Sequence, residues 1–241
     1  MSRIVISGTY CTGKTTLTLA LEKATGISAT HALTMREILP NLYPGISLRE
    51  CSFTQLLSLG MKRFEDRIRK ESNLNNSFIS DGCPLQEWLY GSTRLITGAY
   101  PDETHYQMEI KKLRNWKEYK NFKILLKGFE GMAKEYTKNN YDLFFHLPVE
   151  FPFVEDGHRP TSENFRRVSE ERLLNTYRDL DINPTIINGN LHERINKILN
   201  HIKVKPAYPI DKCIEYAYSF RRNNFDSIHL ENKSIDFSDK F

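Results

Sequence analysis

The residues Gly8-Thr9-Tyr10-Cys11-Thr12-Gly13-Lys14-Thr15 carry the types and spacing needed to hold a polyphosphate. A glycine at each end lets the backbone curl so that successive N–H groups point inward at phosphate oxygens. Lys14 is placed to reach β- and γ-phosphates and Thr15 to ligate Mg²⁺, with Gly8, Thr12, Gly13 and Thr16 completing the cradle. Asp81 ends the short apolar run Phe78-Ile79-Ser80 and is the candidate catalytic carboxylate. Two jobs fit it: taking the proton of an attacking substrate hydroxyl, or holding Mg²⁺ through water. A weakly hydrophobic strand with a single acid favours the first, and a helix cap for the segment from Pro84 is the bland alternative. Arg159, Arg166 and Arg167 are candidates for neutralising charge on a transferring phosphoryl group. The alternative is that they pair with Glu163, Glu170 and Glu171 on one helix.

These groups need a scaffold. Ile4-Val5-Ile6 before the loop reads as a strand, and Leu17, Leu19 and Leu21 after it open a helix, so the loop sits at a strand-to-helix junction, where the helix dipole also favours anions. That helix should run from Gly13 to about Thr25 and stop at Gly26. A short strand over Ile27 to His31 leads to a helix from about Thr34 that ends before Pro40. Arg36 and Glu37 lie in that helix, as candidate acceptor-binding residues or as a solvated surface. Phe53 to Lys70 is amphipathic, with Lys62, Arg63, Asp66, Arg67 and Arg69 read as its solvent face. A helix from Pro84 to Thr97 places Trp88 and Tyr90 either against a flat acceptor or in the core. Thr104 to about Asn139 is helical, broken near Gly128 or Gly131, and rich in lysine, with aromatics at core spacing.

Tyr141 to Pro148 is a buried strand, apolar on both faces. The polar segment from Phe153, continued by a helix over Glu163 to Leu180, has the make-up of a mobile lid that excludes water. Pro184 to Gly189 is a last strand and Asn190 to Ile202 a last helix facing the sheet. Alternating β and α elements predict an α/β fold with right-handed crossovers and about five parallel strands, with a helical insertion over 102–140 and a lid over 153–180. Residues 1–205 form the expected domain. Beyond Pro206 the pattern is lost, and 206–241 reads as a C-terminal extension.

Composition is that of a globular chain: 241 residues, 39% hydrophobic and 27% charged. No apolar run approaches the roughly 20 residues of a membrane helix, and the opening Met1-Ser2-Arg3 carries no signal-peptide pattern. A cytoplasmic protein with no membrane partner is expected. Cys11, Cys51, Cys83 and Cys213 show no paired spacing, which argues against zinc or a disulfide framework. A net charge of +4 suits a polyphosphate ligand and is too small to point to nucleic acid by itself.

The loop at Gly8 to Thr15, the pair Arg36-Glu37, Asp81 after Phe78-Ile79-Ser80, and Tyr141-Asp142-Leu143 leading to Asp156-Gly157-His158-Arg159 follow one another in a recognisable order. Together they resemble the ribosylnicotinamide kinase domain of NadR-type proteins and the P-loop ATPase/kinase family around it, over residues 3 to 202. The resemblance implies a three-layer α/β/α P-loop NTPase fold of the nucleotide-kinase kind, ATP and Mg²⁺ as cofactors, a substrate hydroxyl near Asp81, and a lid built on Arg159. Its departures lie on the acceptor side: no acid precedes Arg36-Glu37, and the insertion from Pro101 to Asn139 is long.

The leading expectation is therefore an ATP-dependent kinase acting on a hydroxyl of a small molecule, a nucleoside, nucleotide or related metabolite. A nucleic-acid acceptor gripped by the segment Lys111 to Lys127 is an alternative, as is a nucleotide-gated binding protein with little transfer. GTP is an alternative donor, and a homodimer is one option for assembly.

Overall fold

The computed structural model describes residues 2–48, 50–74, 77–97, 105–151 and 162–226. Five strands form one sheet: β1 (Arg3–Gly8), β2 (Ala29–Thr30), β3 (Phe78–Asp81), β4 (Leu143–Leu147) and β5 (Thr185–Ile186). They run parallel in the order β2-β3-β1-β4-β5. The strand before the phosphate loop is thus central, with the Asp81 strand and β4 on either side.

Helices cover both faces: α1 (Lys14–Thr25), α2 (Met35–Leu42), α3 (Phe53–Ser72), α4 (Pro84–Thr97), α5 (His105–Arg114), α6 (Trp116–Asn140), α7 (Glu163–Asp179), α8 (Leu191–Ile202) and α9 (Ile210–Arg221). The period of two along each strand decides which layer a side chain joins. Ile4, Ile6, Ile79 and Phe145 pack with α1, α8 and α9, whereas Val5, Phe78 and Phe144 pack with α3, α4, α6 and α7. The parallel sheet is the one that the alternation predicts, and with helices on both faces it makes the three-layer α/β/α P-loop NTPase fold that the resemblance implies.

Local signals set several boundaries. α1 ends at Gly26, whose φ of 71° lets its N–H close onto the Glu22 carbonyl. Reciprocal capping boxes start three helices: Thr34 with Glu37, Ser52 with Gln55, and Asn190 with Glu193.

Other expectations need correction. α2 runs through Pro40 to Leu42 instead of ending before it. The missing N–H costs little in a helix of two turns whose end is closed by Tyr43 N–H on the Leu39 carbonyl. The break in the long helical segment falls at Asn115, between α5 and α6, while Gly128 and Gly131 stay inside α6. Isolated glycines weaken a helix without stopping it.

Residues from Ile210 do not lose their pattern. Ile210, Cys213, Ile214 and Ala217 recur at helical spacing and pack α9 along α1, with Cys213 and Ala217 fully buried. Small residues on both helices allow that close approach, and they weaken the hydrophobic signal by the same token.

The charged face of α3 is not wholly solvent-facing either: Asp66, Arg67 and Glu71 are buried. Conversely, the face of α5 and α6 leaves Tyr106, Leu113 and Trp116 more than half exposed, while Phe122 and Phe129 enter the core. Only part of that aromatic spacing is core spacing. Among the described residues, no helix is long and apolar enough to cross a membrane.

Candidate active site

The phosphate loop joins β1 to α1 and is shaped by three residues with positive φ: Gly8 at 148°, Cys11 at 59° and Gly13 at 90°. Gly8 is required by space as well as by dihedral. A Cβ there would stand 2.6 Å from Thr12 Oγ1 and 2.8 Å from the Leu147 carbonyl. Thr12 Oγ1 donates to the Thr9 carbonyl at 3.0 Å, and the Lys14 ammonium reaches the same oxygen at 2.5 Å. Gly13 gives the α1 N-terminus no side-chain cap, and an uncapped helix N-terminus is a ready anion site.

Asp81 arrives from the neighbouring strand. β3 lies in register with β1 so that Asp81 pairs with Ile6, two residues before Gly8. Thr15 Oγ1 donates to Asp81 Oδ2 at 2.6 Å, and His31 Nδ1 lies 3.2 Å from the same oxygen. Burial acts to raise the Asp81 pKa, yet the His31 hydrogen bond and charge, the Lys14 charge and the Thr15 hydroxyl together hold it far below the ordinary carboxylate range. A carboxylate so held is a weak proton acceptor and a good partner for a cation.

The turn carrying Asp81 is gripped from behind. Arg67 of α3 donates to Ser80 Oγ at 2.8 Å, to the Asp81 and Gly82 carbonyls at 3.1 Å each, and to Glu87 Oε1 at 2.9 Å. Arg63 Nη1 lies 3.0 Å from the other Glu87 oxygen. Gln86 bonds the loop itself, donating to the Gly8 carbonyl while accepting from Cys83 N–H. Tyr10, at the loop tip, stacks on Tyr90 of α4 with ring centroids 4.2 Å apart, and Phe165 of α7 closes the group.

On the other side, Arg194 of α8 donates to the Thr12 carbonyl at 2.7 Å and to Glu150 Oε2 at 2.6 Å. Glu150 in turn accepts from Gly189 N–H at 3.0 Å, tying the ends of β4 and β5 to the loop. Arg221 of α9 donates to Thr16 Oγ1 at 3.2 Å.

Lys14, Thr15, Thr16 and Asp81 therefore converge, with Gly8, Thr12 and Gly13 forming the loop around them. Arg159 and the segment from Phe153 to Pro160 lie outside the described residues. Arg166 is buried against Glu163 Oε2 and the Phe151 carbonyl, both at 3.1 Å, and Arg167 is exposed. α7, which the lid reading includes, is a packed helix with Leu173 and Tyr177 in the core.

Trp88 sits in the core, 6% exposed, under the Lys134 ammonium. Arg36 and Glu37 are half-buried on α2, where Glu37 spends a carboxylate oxygen on Thr34 N–H at 2.6 Å. Glu37 also lines a cavity of about 460 Å³ beside β2, together with His31, Lys70, Phe220 and Asn224.

Sequence reasoning passed over Tyr10, His31, Arg67, Glu87, Glu150 and Arg194. A signal existed for two of them. Arg194 falls three residues after Leu191 and four before Ile198, inside the apolar stripe of α8, and Arg67 falls three after Phe64 in that of α3. A charge within an apolar stripe is a buried charge in need of a partner.

Among the described residues, no group of three His, Cys, Asp or Glu side chains could hold a metal. A cation would be met by the oxygens of Thr15 and Asp81, a donor set suited to Mg²⁺, which keeps most of its water.

No curated protein matches the chain. Among solved structures it is similar to a deoxyadenosine kinase from M. mycoides, determined with dCMP and dCDP bound. The two are 14% identical with a TM-score of 0.50, over 83% of this chain and 98% of that one. At that identity the likeness speaks to the fold alone, and it agrees with the parallel sheet and the loop at its centre. A family profile described as AAA domain matches residues 3–194, from the first residue of β1 to the arginine that braces the loop. With four-fifths of its length matched and the phosphate loop, Asp81 and Arg194 all inside that span, the chain belongs to the AAA domain family of P-loop proteins.

Proposed function

We propose that this chain is an ATP-dependent phosphotransferase that phosphorylates a hydroxyl of a small metabolite of the nucleoside or nucleotide type. The observation that carries the reading is the convergence of Lys14, Thr15 and Asp81 at the ends of two adjacent parallel strands. In open parallel sheets, ligands bind at the carboxyl ends of the strands. The similarity in fold to a deoxyadenosine kinase supports a hydroxyl acceptor of that general kind.

The loop amides and Lys14 would hold the β- and γ-phosphates of the donor. Thr15 and Asp81 would hold Mg²⁺, which when bound neutralises phosphate charge and orients the transferring group. The Thr15 bond and the depressed carboxyl favour this role for Asp81 over that of general base. Arg67 and Glu87 are positioning residues that fix the Asp81 turn. Catalysis in such a site is positioning and electrostatics, without a covalent intermediate.

The test is ADP release from Mg·ATP across nucleosides, nucleotides and sugars, with Lys14→Ala as the blank. Acceptor-dependent release supports a kinase. Release without any acceptor, or none at all, favours a nucleotide-gated binding protein.

A second reading, a nucleic-acid acceptor, draws on the exposure of Trp116 beside Lys120, whose ammonium lies 5.6 Å from the Trp116 ring. Basic residues interleaved with exposed aromatics suit single strands. Oligonucleotide binding that falls steeply with salt would support it.

A further inference from the structure

A buried polar chain crosses the carboxyl ends of three strands at the root of the phosphate loop. Ser7, the residue of β1 before Gly8, is its hub. Ser7 Oγ lies 2.7 Å from the Tyr177 hydroxyl of α7 and 3.2 Å from Nδ1 of His146, its register partner on β4. The Tyr177 hydroxyl is also 3.5 Å from Cys83 Sγ, two residues past Asp81. His146 Nε2 lies 3.4 Å from Glu170 Oε1, and that oxygen also accepts from Val149 N–H. Ser7, Cys83, His146 and Tyr177 are fully buried.

Donors and acceptors match along the whole chain when it runs one way: Cys83 S–H to Tyr177, Tyr177 O–H to Ser7, Ser7 O–H to His146 Nδ1, and His146 Nε2–H to the Glu170 carboxylate. Burial holds the Tyr177 phenol far above its ordinary pKa, so it stays a neutral donor. A Ser, a His and a Glu in this order would suit a hydrolytic nucleophile, but no substrate reaches a serine with no exposed surface. The chain sits instead in the apolar layer of Val5, Phe144 and Leu173, where a phenylalanine and an alanine would avoid desolvating two hydroxyls. Buried polar groups that are all satisfied fix one geometry. The geometry fixed here is that of two segments carrying the site: Ser7 leads into Gly8, and Cys83 follows the turn that presents Asp81 to Thr15.

We infer that Tyr177 is a positioning residue for the phosphate site: its hydroxyl, shared between Ser7 and Cys83, sets the phosphate loop against the Asp81 turn and so sets the spacing of the Thr15 and Asp81 oxygens offered to Mg²⁺. The inference rests on the proposed role of Thr15 and Asp81 as Mg²⁺ ligands in a phosphotransferase. Gln86 ties the same two segments through the Gly8 carbonyl and Cys83 N–H, so loop and turn are held at two points. Tyr177 supplies the second from α7, a helix outside both segments. Being fully buried, it acts through Ser7 and Cys83 and touches no nucleotide itself.

Calorimetry on the full chain with a non-hydrolysable ATP analogue, with and without Mg²⁺, tests this beside kcat and the melting temperature. Tyr177→Phe keeps the ring and removes the hydroxyl. Ser7→Ala removes the same bond from the other end and serves if the first variant does not fold. Each should keep the metal-free affinity, lose most of the affinity gained with Mg²⁺, and lower kcat about 10–100-fold, the effect of a small misplacement far from the chemistry. The double variant should lose little more than the worse single one, because the two share one hydrogen bond. Leu173→Val, which loosens α7 in the same apolar layer, should lower the melting temperature and leave the Mg²⁺ gain intact. An unchanged Mg²⁺ gain in Tyr177→Phe, losses that multiply in the double variant, an equal loss in Leu173→Val, or a wild type without any Mg²⁺ gain overturns the inference. Failure of the phosphotransferase reading shows separately, as absent acceptor-dependent ADP release alongside a Mg²⁺ gain that Tyr177→Phe removes.

Discussion

Thr15 and Asp81 stand sixty-six positions apart in the chain and 2.6 Å apart in space, on the first turn of the helix after the phosphate loop and on the neighbouring strand. The bond joins the helix that follows the phosphate loop to the one acid at the end of β3, and it uses two oxygens of the kind a hard cation takes. Removing either should damage turnover more than nucleotide binding. Asp81→Asn and Thr15→Val are each expected to lower kcat by about 10²–10³-fold, the range for loss of one group that stabilises transition-state charge. Metal-free binding of an ATP analogue should change little in these variants and be lost in Lys14→Ala, as read by calorimetry. Unchanged turnover in Asp81→Asn would remove Asp81 from the site.

Gly8 and Gly26 both have positive φ, yet only Gly8 is also short of space. Gly8→Ala must move Thr12 or the Leu147 carbonyl, so nucleotide binding should disappear. Gly26→Ala meets nothing within 4 Å and should cost only the strain of a left-handed residue, about 1–2 kcal/mol, with nucleotide binding retained. Denaturant titration beside a binding assay separates the two effects.

Arg194 braces the loop from α8 through the Thr12 carbonyl and Glu150. Arg194→Met should cost about 1–3 kcal/mol, because a carbonyl and a half-buried carboxylate lose a charged donor. The loop then loses its outer support, so KM for ATP should rise several-fold while the metal requirement stays as in the wild type. Equal KM values would make Arg194 a purely structural residue.

Glu170 accepts from Val149 N–H at 2.8 Å and lies 3.4 Å from His146 Nε2. Burial alone would raise its pKa, but the His146 bond and the Val149 N–H lower it below the ordinary value. A depressed carboxyl stabilises the fold above its unfolded pKa of about 4.3 and loses that contribution as the pH falls through the folded value. Glu170→Gln should therefore be less stable than the wild type at pH 7, by about 1–2 kcal/mol. The gap should narrow as the pH is lowered below about 4. Thermal melts across pH 3 to 7 would show a constant gap if the carboxylate charge were irrelevant.

Much of the architecture is local, and was legible for that reason. The phosphate loop is contiguous, the capping boxes span four residues each, and Gly26 stops α1 through its own dihedral. Alternation of strand and helix then leaves few topologies open. α9 escaped because it buries Cys213 and Ala217, whose hydrophobic signal is weak, against the small residues of α1. Pro40 and the glycines of α6 misled because a local penalty was smaller than the packing that overrides it.

The sequence by itself determined which residues could grip a phosphate, since the loop positions them through the backbone of eight consecutive residues. Only the tertiary structure decided what surrounds them. Strand register brings Asp81 onto Thr15, and helix packing turns Arg67 and Arg194 inward to carbonyls from distant segments. Packing also withdraws Trp88 into the core. The physical reason is that a charge on a helix reads the same in sequence whether water or a protein group answers it, and only the fold supplies or withholds the partner.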